Sequence, residues 1–282
     1  MVQSKHRSRL PMLQPAVVHV RRSYAEGRSG QIHLATAYPS GGGFDERVPI
    51  VCLHQAGGSN RCFAPALREL GRDRSVYAVD LPGHGSSDLS GSRITIGELA
   101  GAVGDFLDSL RLRSADVIGY ELGAAIATEL AIARPQQVRR LILWGAAVYS
   151  VQERNTLTAQ SRMGWREDGS DVVEQWRHEM EQRAAEVPIA ALIDVWSDRL
   201  LAGAAAAKAY AAFVEYPAGE RLPLVKQQTL VLKLKDQFGD YAPRVRSSLP
   251  NGTLLDVPEH GSGFMSAAAL RFAAIVREFF DR

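Results

Sequence analysis

The sequence predicts an α/β fold, in which a mostly parallel β-sheet has helices on both faces and carries a helical cap. Two observations lead to this prediction. Short apolar runs alternate with amphipathic helical segments through the first half of the chain, as in successive βαβ units. The alternation stops at about residue 149, and strand patterns return only after about residue 225, so a helical segment is inserted between two strands of one sheet.

Each strand is predicted from a short apolar run. The run at residues 48–53 has the continuous hydrophobicity of a parallel strand that is buried on both faces. The predicted strands lie at residues 31–37, 48–53, 75–79, 115–119, 140–144, 228–234 and 253–257. The helices are predicted from apolar residues at helical spacing or from alanine-rich runs, and they lie at residues 63–70, 96–110, 122–133 and 267–280.

These elements divide the chain into three parts. Residues 1–29 are predicted to be a basic N-terminal tail and lead-in, which lacks the apolar stretch of a secretory signal. The core is predicted to comprise residues 30–148 plus 226–282. Residues 149–225 are predicted to form the helical cap, a lid over the core.

The composition excludes several classes of protein. Apolar residues make up 46% of the chain and charged residues 23%, as in a globular protein. The net charge of +2 gives no reason to expect nucleic acid as a partner, and no run approaches the roughly 20 apolar residues of a membrane helix. The chain has neither metal-ligand spacing nor a nucleotide-binding glycine motif. We therefore expect a cofactor-free, metal-free cytoplasmic protein, monomer or homodimer, that acts on a small molecule.

Polar side chains follow several of the predicted strands. Glu121 is the centre of the segment Gly-Tyr-Glu-Leu-Gly at residues 119–123, whose glycines allow a sharp turn from strand to helix. The segment His-Gln-Ala-Gly-Gly follows the strand at 48–53. Asp236 and His260 follow the strands at 228–234 and 253–257. Because the carboxyl ends of parallel strands meet at one edge of a sheet, we expect these residues to converge.

The combination of these motifs resembles the α/β-hydrolase superfamily over roughly residues 30–282. Residues 54–58 resemble its oxyanion loop, 80–88 (Asp-Leu-Pro-Gly-His-Gly-Ser-Ser-Asp) the loop after the next strand, and 119–123 its nucleophile elbow. The resemblance implies that Asp236 orients His260. It also implies that the backbone N–H groups of Ala56 and Leu122 stabilise a developing oxyanion.

Glu121 departs from this pattern, because the elbow residue of the superfamily is usually serine. A carboxylate has no proton for a histidine to remove, so the serine mechanism does not operate here. In one interpretation Glu121 attacks carbon, as the resemblance implies for members with an elbow aspartate. In a second, Glu121 and His260 exchange a proton as an acid–base pair. In a third, the two form a buried ion pair in a protein without activity.

These interpretations give one main functional prediction and two alternatives. We expect hydrolysis of an ester, lactone or epoxide of a small apolar compound. The first alternative is a lyase or cyclase that uses the Glu121–His260 pair for C–C cleavage, elimination or ring closure. The second is a catalytically silent ligand-binding protein. The residues expected to line the substrate pocket are His54, Gln55, Tyr120, Trp144 and Tyr210; Tyr149, Tyr210 and Tyr216 are candidates to protonate an epoxide.

Overall fold

The computed structural model describes residues 17–27, 30–40, 47–89, 94–160 and 166–282. Within these ranges eight strands form one sheet in the order β1-β2-β4-β3-β5-β6-β7-β8. The strands are β1 (Val18–Gly27), β2 (Gly30–Pro39), β3 (Ile50–Leu53), β4 (Val76–Val79), β5 (Ala115–Tyr120), β6 (Val138–Trp144), β7 (Gln228–Leu234) and β8 (Gly252–Val257).

The sheet is parallel from β4 across to β8 and antiparallel only at the β1–β2 and β2–β4 pairings. The predicted α/β fold class is thereby confirmed. The carboxyl ends of β3, β5, β7 and β8 lie at the same edge of the sheet, which is where ligands bind in open α/β folds. The predicted catalytic and oxyanion residues each follow one of these strand ends.

Helices cover both faces of the sheet. Apolar side chains of the second and third helices pack on one face, and those of the first and last helices pack on the other. The helices are α1 (Ala64–Leu70), α2 (Ile96–Ser109), α3 (Leu122–Ala133), α4 (Val151–Gln160), α5 (Ser170–Gln182), α6 (Ile189–Glu215), α7 (Ala218–Arg221), α8 (Ala242–Ser248), α9 (Phe264–Ala267) and α10 (Ala269–Phe280). None of them, within the described ranges, is long and apolar enough to cross a membrane.

The first strand of the sheet was not predicted from the sequence. β1 pairs along its whole length with β2, whereas residues 18–27 were assigned to the N-terminal tail and lead-in. The strand lies at the edge of the sheet, and its side chains are exposed or half-buried except for Ala25. Such a strand lacks the apolar run by which the others are predicted. Val17 is described and lies just before β1. The other residues of the predicted tail, 1–16 and 28–29, lie outside the described residues.

The helices α4 to α7, together called the insertion, connect β6 to β7. The longest of them, α6, changes direction at Gly203, whose φ of 49° and ψ of −125° are not helical. Side chains of α6 contact the loops after β3 and β4. Ala206 lies 3.4 Å from the position of a Cβ on Gly57, and Ala205 lies 3.1 Å from that of a Cβ on Gly83. The insertion therefore packs against the edge of the sheet at which ligands are expected to bind.

The elbow glycines are required by close packing between α3 and the sheet. A Cβ on Gly123 would lie 2.1 Å from the carbonyl oxygen of Leu53, and a Cβ on Gly119 would lie 2.4 Å from the carbonyl oxygen of Gly123. Backbone atoms on both sides leave no room for a methyl group. This approach also allows the Gly123 N–H to donate to the His54 carbonyl at 3.0 Å, which joins the elbow to the loop after β3.

The substitution Gly123→Ala is expected to lower the free energy of unfolding by about 3 kcal/mol, because α3 must move away from β3 to relieve the clash. Denaturant unfolding of the two proteins measures this difference. The matched control is Gly97→Ala in α2, where a Cβ meets nothing within 4 Å. That change is expected to raise stability by about 0.5–1 kcal/mol through helix propensity. Equal effects of the two substitutions would contradict the packing argument.

Candidate active site

Glu121 lies at the turn between β5 and α3. Its φ of 50° and ψ of −107° are a backbone conformation that residues with a side chain rarely adopt, at a cost of about 1–3 kcal/mol. Two hydrogen bonds help to hold the turn: the Glu121 N–H donates to the Trp144 carbonyl at 2.9 Å, and the Ala124 N–H donates back to the Glu121 carbonyl at 2.9 Å. The turn is the sharp strand-to-helix elbow expected from the sequence, and the strain is concentrated at the residue with the unusual side chain.

Two backbone N–H groups, one at the elbow and one in the loop to which the elbow is bonded, have no hydrogen-bond partner among the described residues. They belong to Ala56, in the loop after β3, and to Leu122, the first residue of α3. Other N–H groups of this region do form hydrogen bonds. The Gly58 N–H donates to the Gln55 carbonyl at 3.0 Å, and the Gly123 N–H donates to the His54 carbonyl at 3.0 Å. Free N–H groups at a helix N-terminus and an adjoining loop can stabilise negative charge on an oxygen atom.

The carboxyl group of Glu121 is in a largely water-excluded environment. The residue is 7% exposed, and none of the described residues forms a hydrogen bond with its side chain. Burial raises the pKa of Glu121 to about 8, and the positive charge of Arg199 opposes this rise only in part. At neutral pH the group is therefore mainly a neutral carboxylic acid, which can donate a proton but is a poor nucleophile.

The expected contact between Asp236 and His260 is not made. The two residues are neighbours in space, because the Lys235 N–H donates to the His260 carbonyl at 2.8 Å. However, the Asp236 carboxylate accepts from the Phe238 N–H at 2.9 Å, and Nδ1 of His260 is buried without a partner. The imidazole ring instead stacks on Phe264, with ring centroids 4.7 Å apart. The ring thus packs on a neighbouring aromatic side chain and forms no hydrogen bond with Asp236.

Glu121 and His260 also do not form the ion pair that the sequence analysis considered. Among the described residues, no histidine lies within 4.0 Å of the Glu121 carboxylate, and Arg199 is the charged residue that affects its pKa. The structure thus joins the elbow, which carries Glu121 and Leu122, to the loop after β3, which carries Ala56. It leaves Asp236 and His260 at the same edge of the sheet but unpaired.

Two tyrosines lie close to Glu121: Tyr149, which precedes α4, and Tyr210 of α6. The negative form of Glu121 raises the pKa of both Tyr149 and Tyr210, after the larger effect of burial, and that of Tyr210 reaches about 12. Tyr149 also packs edge-to-face on Tyr241, at 5.0 Å between centroids, and on Phe213, at 6.1 Å. These rings make the surroundings of the carboxyl mainly apolar, with tyrosine hydroxyl groups as the polar atoms.

Other residues predicted to line the pocket have different roles. His54 is fully buried; its Nδ1 donates to the Gln55 carbonyl at 2.7 Å and its Nε2 accepts from the Leu81 N–H at 2.9 Å. Burial lowers the pKa of His54 to about 3, so it is a neutral group that holds two loops together. Trp144 is 3% exposed and packs beside Phe272 in the core, and its role in the pocket stays a prediction.

Tyr120 and Gln55 stay predicted pocket residues. Tyr120 is half-buried and stacks on Trp144 at 4.4 Å, and burial followed by the charge of Glu121 raises its pKa. Gln55 is buried, and its Oε1 has no hydrogen-bond partner. Tyr216, a predicted proton donor, instead donates to Glu129 at 2.9 Å. The described residues contain no cluster of histidine, cysteine and carboxylate side chains that could hold a metal ion.

Arg199 was missed by the sequence analysis. It lies on α6, which the loop after β3 holds in place: Ser59 donates to Asp198 at 2.6 Å, and Arg61 bonds to Asp198 at 2.9 Å and also to Asp194. The insertion is rich in arginine, so no sequence signal distinguishes this one. Only the folding of α6 onto the sheet edge brings it near Glu121.

The fold agrees with the comparison to known families. The model of the alpha/beta hydrolase family matches residues 50–275, which is most of the chain. The chain belongs to the α/β-hydrolase family. The resemblance inferred from residues 54–58, 80–88 and 119–123 is thereby confirmed at the level of the family.

Individual sequence relatives match this α/β-hydrolase over less than half of its length. One relative is the dihydrolipoyllysine-residue acetyltransferase component of the acetoin cleaving system of Cupriavidus necator, which is 33% identical over 134 residues. The matched stretch covers 46% of this chain and 35% of the relative. This α/β-hydrolase is also 32% identical over 118 residues to 2-hydroxymuconate semialdehyde hydrolase of Pseudomonas sp. strain CF600, which is 39% of each chain. The α/β-hydrolase thus matches little more than a third of the length of these relatives.

A solved structure extends the similarity of fold over nearly the whole chain. The enol-lactonase of Burkholderia xenovorans LB400 superposes with a TM-score of 0.76 at 18% identity, covering 92% of this α/β-hydrolase and 100% of the lactonase. At this identity the similarity concerns the fold alone.

Proposed function

We propose that this α/β-hydrolase is a cofactor-independent enzyme that hydrolyses an ester, lactone or epoxide of a small, largely apolar compound. The observation that carries the proposal is the position of Glu121. Its buried carboxyl lies at a strained elbow that is bonded to the loop after β3. The N–H groups of Leu122 at the elbow and of Ala56 in that loop are unpaired among the described residues. A semialdehyde hydrolase among the sequence relatives is consistent with hydrolysis.

In this proposal Glu121 is a general acid. The neutral carboxyl donates its proton to the oxygen that leaves when the C–O bond breaks, while water adds to carbon. The N–H groups of Ala56 and Leu122 stabilise the negative charge that develops on a carbonyl oxygen. Tyr149 and Tyr210, close to the carboxyl, are placed to bind the same region of a substrate.

His260 is the base that we propose for the attacking water, with Asp236 as its orienting partner. Both follow the ends of adjacent strands, β7 and β8. Pairing the Asp236 carboxylate with Nδ1 of His260 requires the imidazole to leave its stack on Phe264. That movement would also give the buried Nδ1 the hydrogen-bond partner that it lacks.

A lyase that cleaves a C–C bond is the second candidate. It is favoured by the same neutral carboxyl, because a proton donor in an apolar pocket can protonate a carbanion as well as an oxygen. One sequence relative, 31% identical over 96 residues, is described as a putative synthase of a cyclohexadiene carboxylate. A product analysis separates the two candidates, since hydrolysis of an ester or epoxide adds water to the products and C–C cleavage by a lyase does not.

The pH profile tests the proposed role of Glu121. With a pKa of about 8, a general acid is active in its protonated form, so kcat/KM is expected to fall about tenfold per pH unit above pH 8. A nucleophilic Glu121 must be ionised and gives the opposite slope, a rise up to about pH 8. The measurement uses the wild-type protein and a panel of small esters, lactones and epoxides. A plateau of kcat/KM above pH 8 in place of the fall, or the absence of turnover on the whole panel, would overturn the proposal.

A further inference from the structure

The side chain of Arg199 lies directly on the loop that carries Ala56. Its Cβ and Cγ are 3.6 and 3.4 Å from the position that a Cβ on Gly57 would occupy. The aliphatic stem therefore packs one residue away from the unpaired N–H of Ala56. The charge of Arg199 also lowers the pKa of Glu121, which places the guanidinium within electrostatic reach of that carboxyl.

The guanidinium of Arg199 is held by two neighbours and retains free donors. It donates through one terminal nitrogen to Glu179 of α5 at 2.6 Å, and it lies 5.6 Å from the ring centroid of Trp196. Its other N–H groups have no hydrogen-bond partner among the described residues. The Arg199 and Glu179 side chains are 29% and 32% exposed, and an ion pair at this exposure is weak because water solvates both charges. Glu179 can therefore be exchanged for another carboxylate.

The remaining acidic groups near Arg199 are already paired. Asp198 accepts from Ser59 and from Arg61, and Asp194 also pairs with Arg61. Glu121, which is the other nearby carboxyl, is mainly uncharged at neutral pH. Glu179 is thus the residue that balances the charge of Arg199, and its displacement leaves a cation beside the reacting groups.

We propose that the substrate carries a carboxylate that binds Arg199 in place of Glu179. A guanidinium accepts a carboxylate with two parallel hydrogen bonds, which fixes the orientation of the substrate as well as its position. A carboxylate anchored at Arg199 directs the ester, lactone or epoxide end of a short molecule toward Glu121 and the N–H groups of Ala56 and Leu122. The inference rests on the proposed function and adds the charge of the substrate to it.

The kinetic test uses matched pairs of esters, such as monomethyl adipate and methyl hexanoate, which differ in a terminal carboxylate. The measured quantity is the ratio of kcat/KM for the half-ester to that for the neutral ester. Arg199→Gln is expected to lower this ratio by at least about tenfold, and Glu179→Gln is expected to raise it severalfold because the competing carboxylate is removed. Arg166→Gln is the matched control, since Arg166 is an exposed arginine of the insertion that pairs with Glu174.

The opposite directions of the two changes make this test specific. Loss of folding or of α6 packing would lower turnover of both esters and leave their ratio unchanged. The inference is overturned if Arg199→Gln and Arg166→Gln give the same ratio, or if Glu179→Gln lowers it.

Equilibrium binding separates this inference from the proposed function. Adipate itself, which has no ester bond, is titrated calorimetrically into the wild type and into Arg199→Gln. Binding that the substitution weakens by about tenfold or more supports the carboxylate subsite even if no ester is hydrolysed. Absence of binding to the wild type overturns the subsite, while turnover of neutral esters would leave the proposed function intact.

Discussion

Replacement of Glu121 by glutamine is expected to lower kcat/KM by about 10²- to 10⁴-fold, the usual contribution of a positioned acid or base. Glutamine has nearly the shape of a protonated glutamic acid and, like it, is uncharged. Because burial keeps Glu121 protonated at neutral pH, the substitution removes the transferable proton and leaves the surrounding packing in place. Steady-state kinetics on the best ester, lactone or epoxide of the panel measures the loss.

Glu121→Asp provides a second comparison for the same prediction. It keeps a carboxyl group but withdraws it by about 1 Å, a displacement that can cost about a hundredfold in rate. An activity of Glu121→Asp between those of the wild type and of Glu121→Gln would show that both the presence of the carboxyl and its exact position contribute to the rate. If Glu121→Gln instead turned over substrate at the wild-type rate, Glu121 would have no role in proton transfer, and a different group would have to supply the proton.

The stability of the protein is expected to fall as the pH rises from about 4.5 to about 8. In the unfolded chain Glu121 ionises near its ordinary pKa of 4.5, whereas burial raises the pKa in the folded protein to about 8. Between these values the folded state holds a proton that the unfolded state has lost. The free energy of unfolding that depends on this proton is fully present below pH 4.5. It is lost at about 1.4 kcal/mol per pH unit as the pH rises, until the pH passes about 8.

Urea unfolding of the wild type and of Glu121→Gln across this pH range isolates the contribution. All other titrating groups are shared, so they cancel in the difference between the two unfolding free energies. From about pH 5 to about pH 8 this difference is expected to change by roughly 4 kcal/mol against the wild type. A difference that stays constant with pH would mean that the Glu121 carboxyl is solvated and ionised in the folded protein. The general-acid proposal would then lose its physical basis.

Residues 119–123 illustrate how much of the site follows from local sequence. Gly119 and Gly123 flank a single side chain between a strand pattern and a helix pattern, and the structure has the strained turn at that residue. The reason is steric: a Cβ at either glycine would overlap backbone atoms. The loop after β3 is similarly local, because its short sequence of small residues leaves the Ala56 N–H free.

The amino-acid sequence by itself therefore determined the parallel sheet, most of its strands and the elbow with Glu121, because these depend on periodicity and on glycines close in sequence. Tertiary structure alone decided the rest. β1 is held by pairing with β2 rather than by its own hydrophobicity. His260 packs on Phe264 instead of pairing with Asp236, and Arg199 reaches Glu121 because α6 is bonded to a loop more than a hundred residues earlier. The bonds that hold α6 on this loop have no local pattern, since they join segments more than a hundred residues apart.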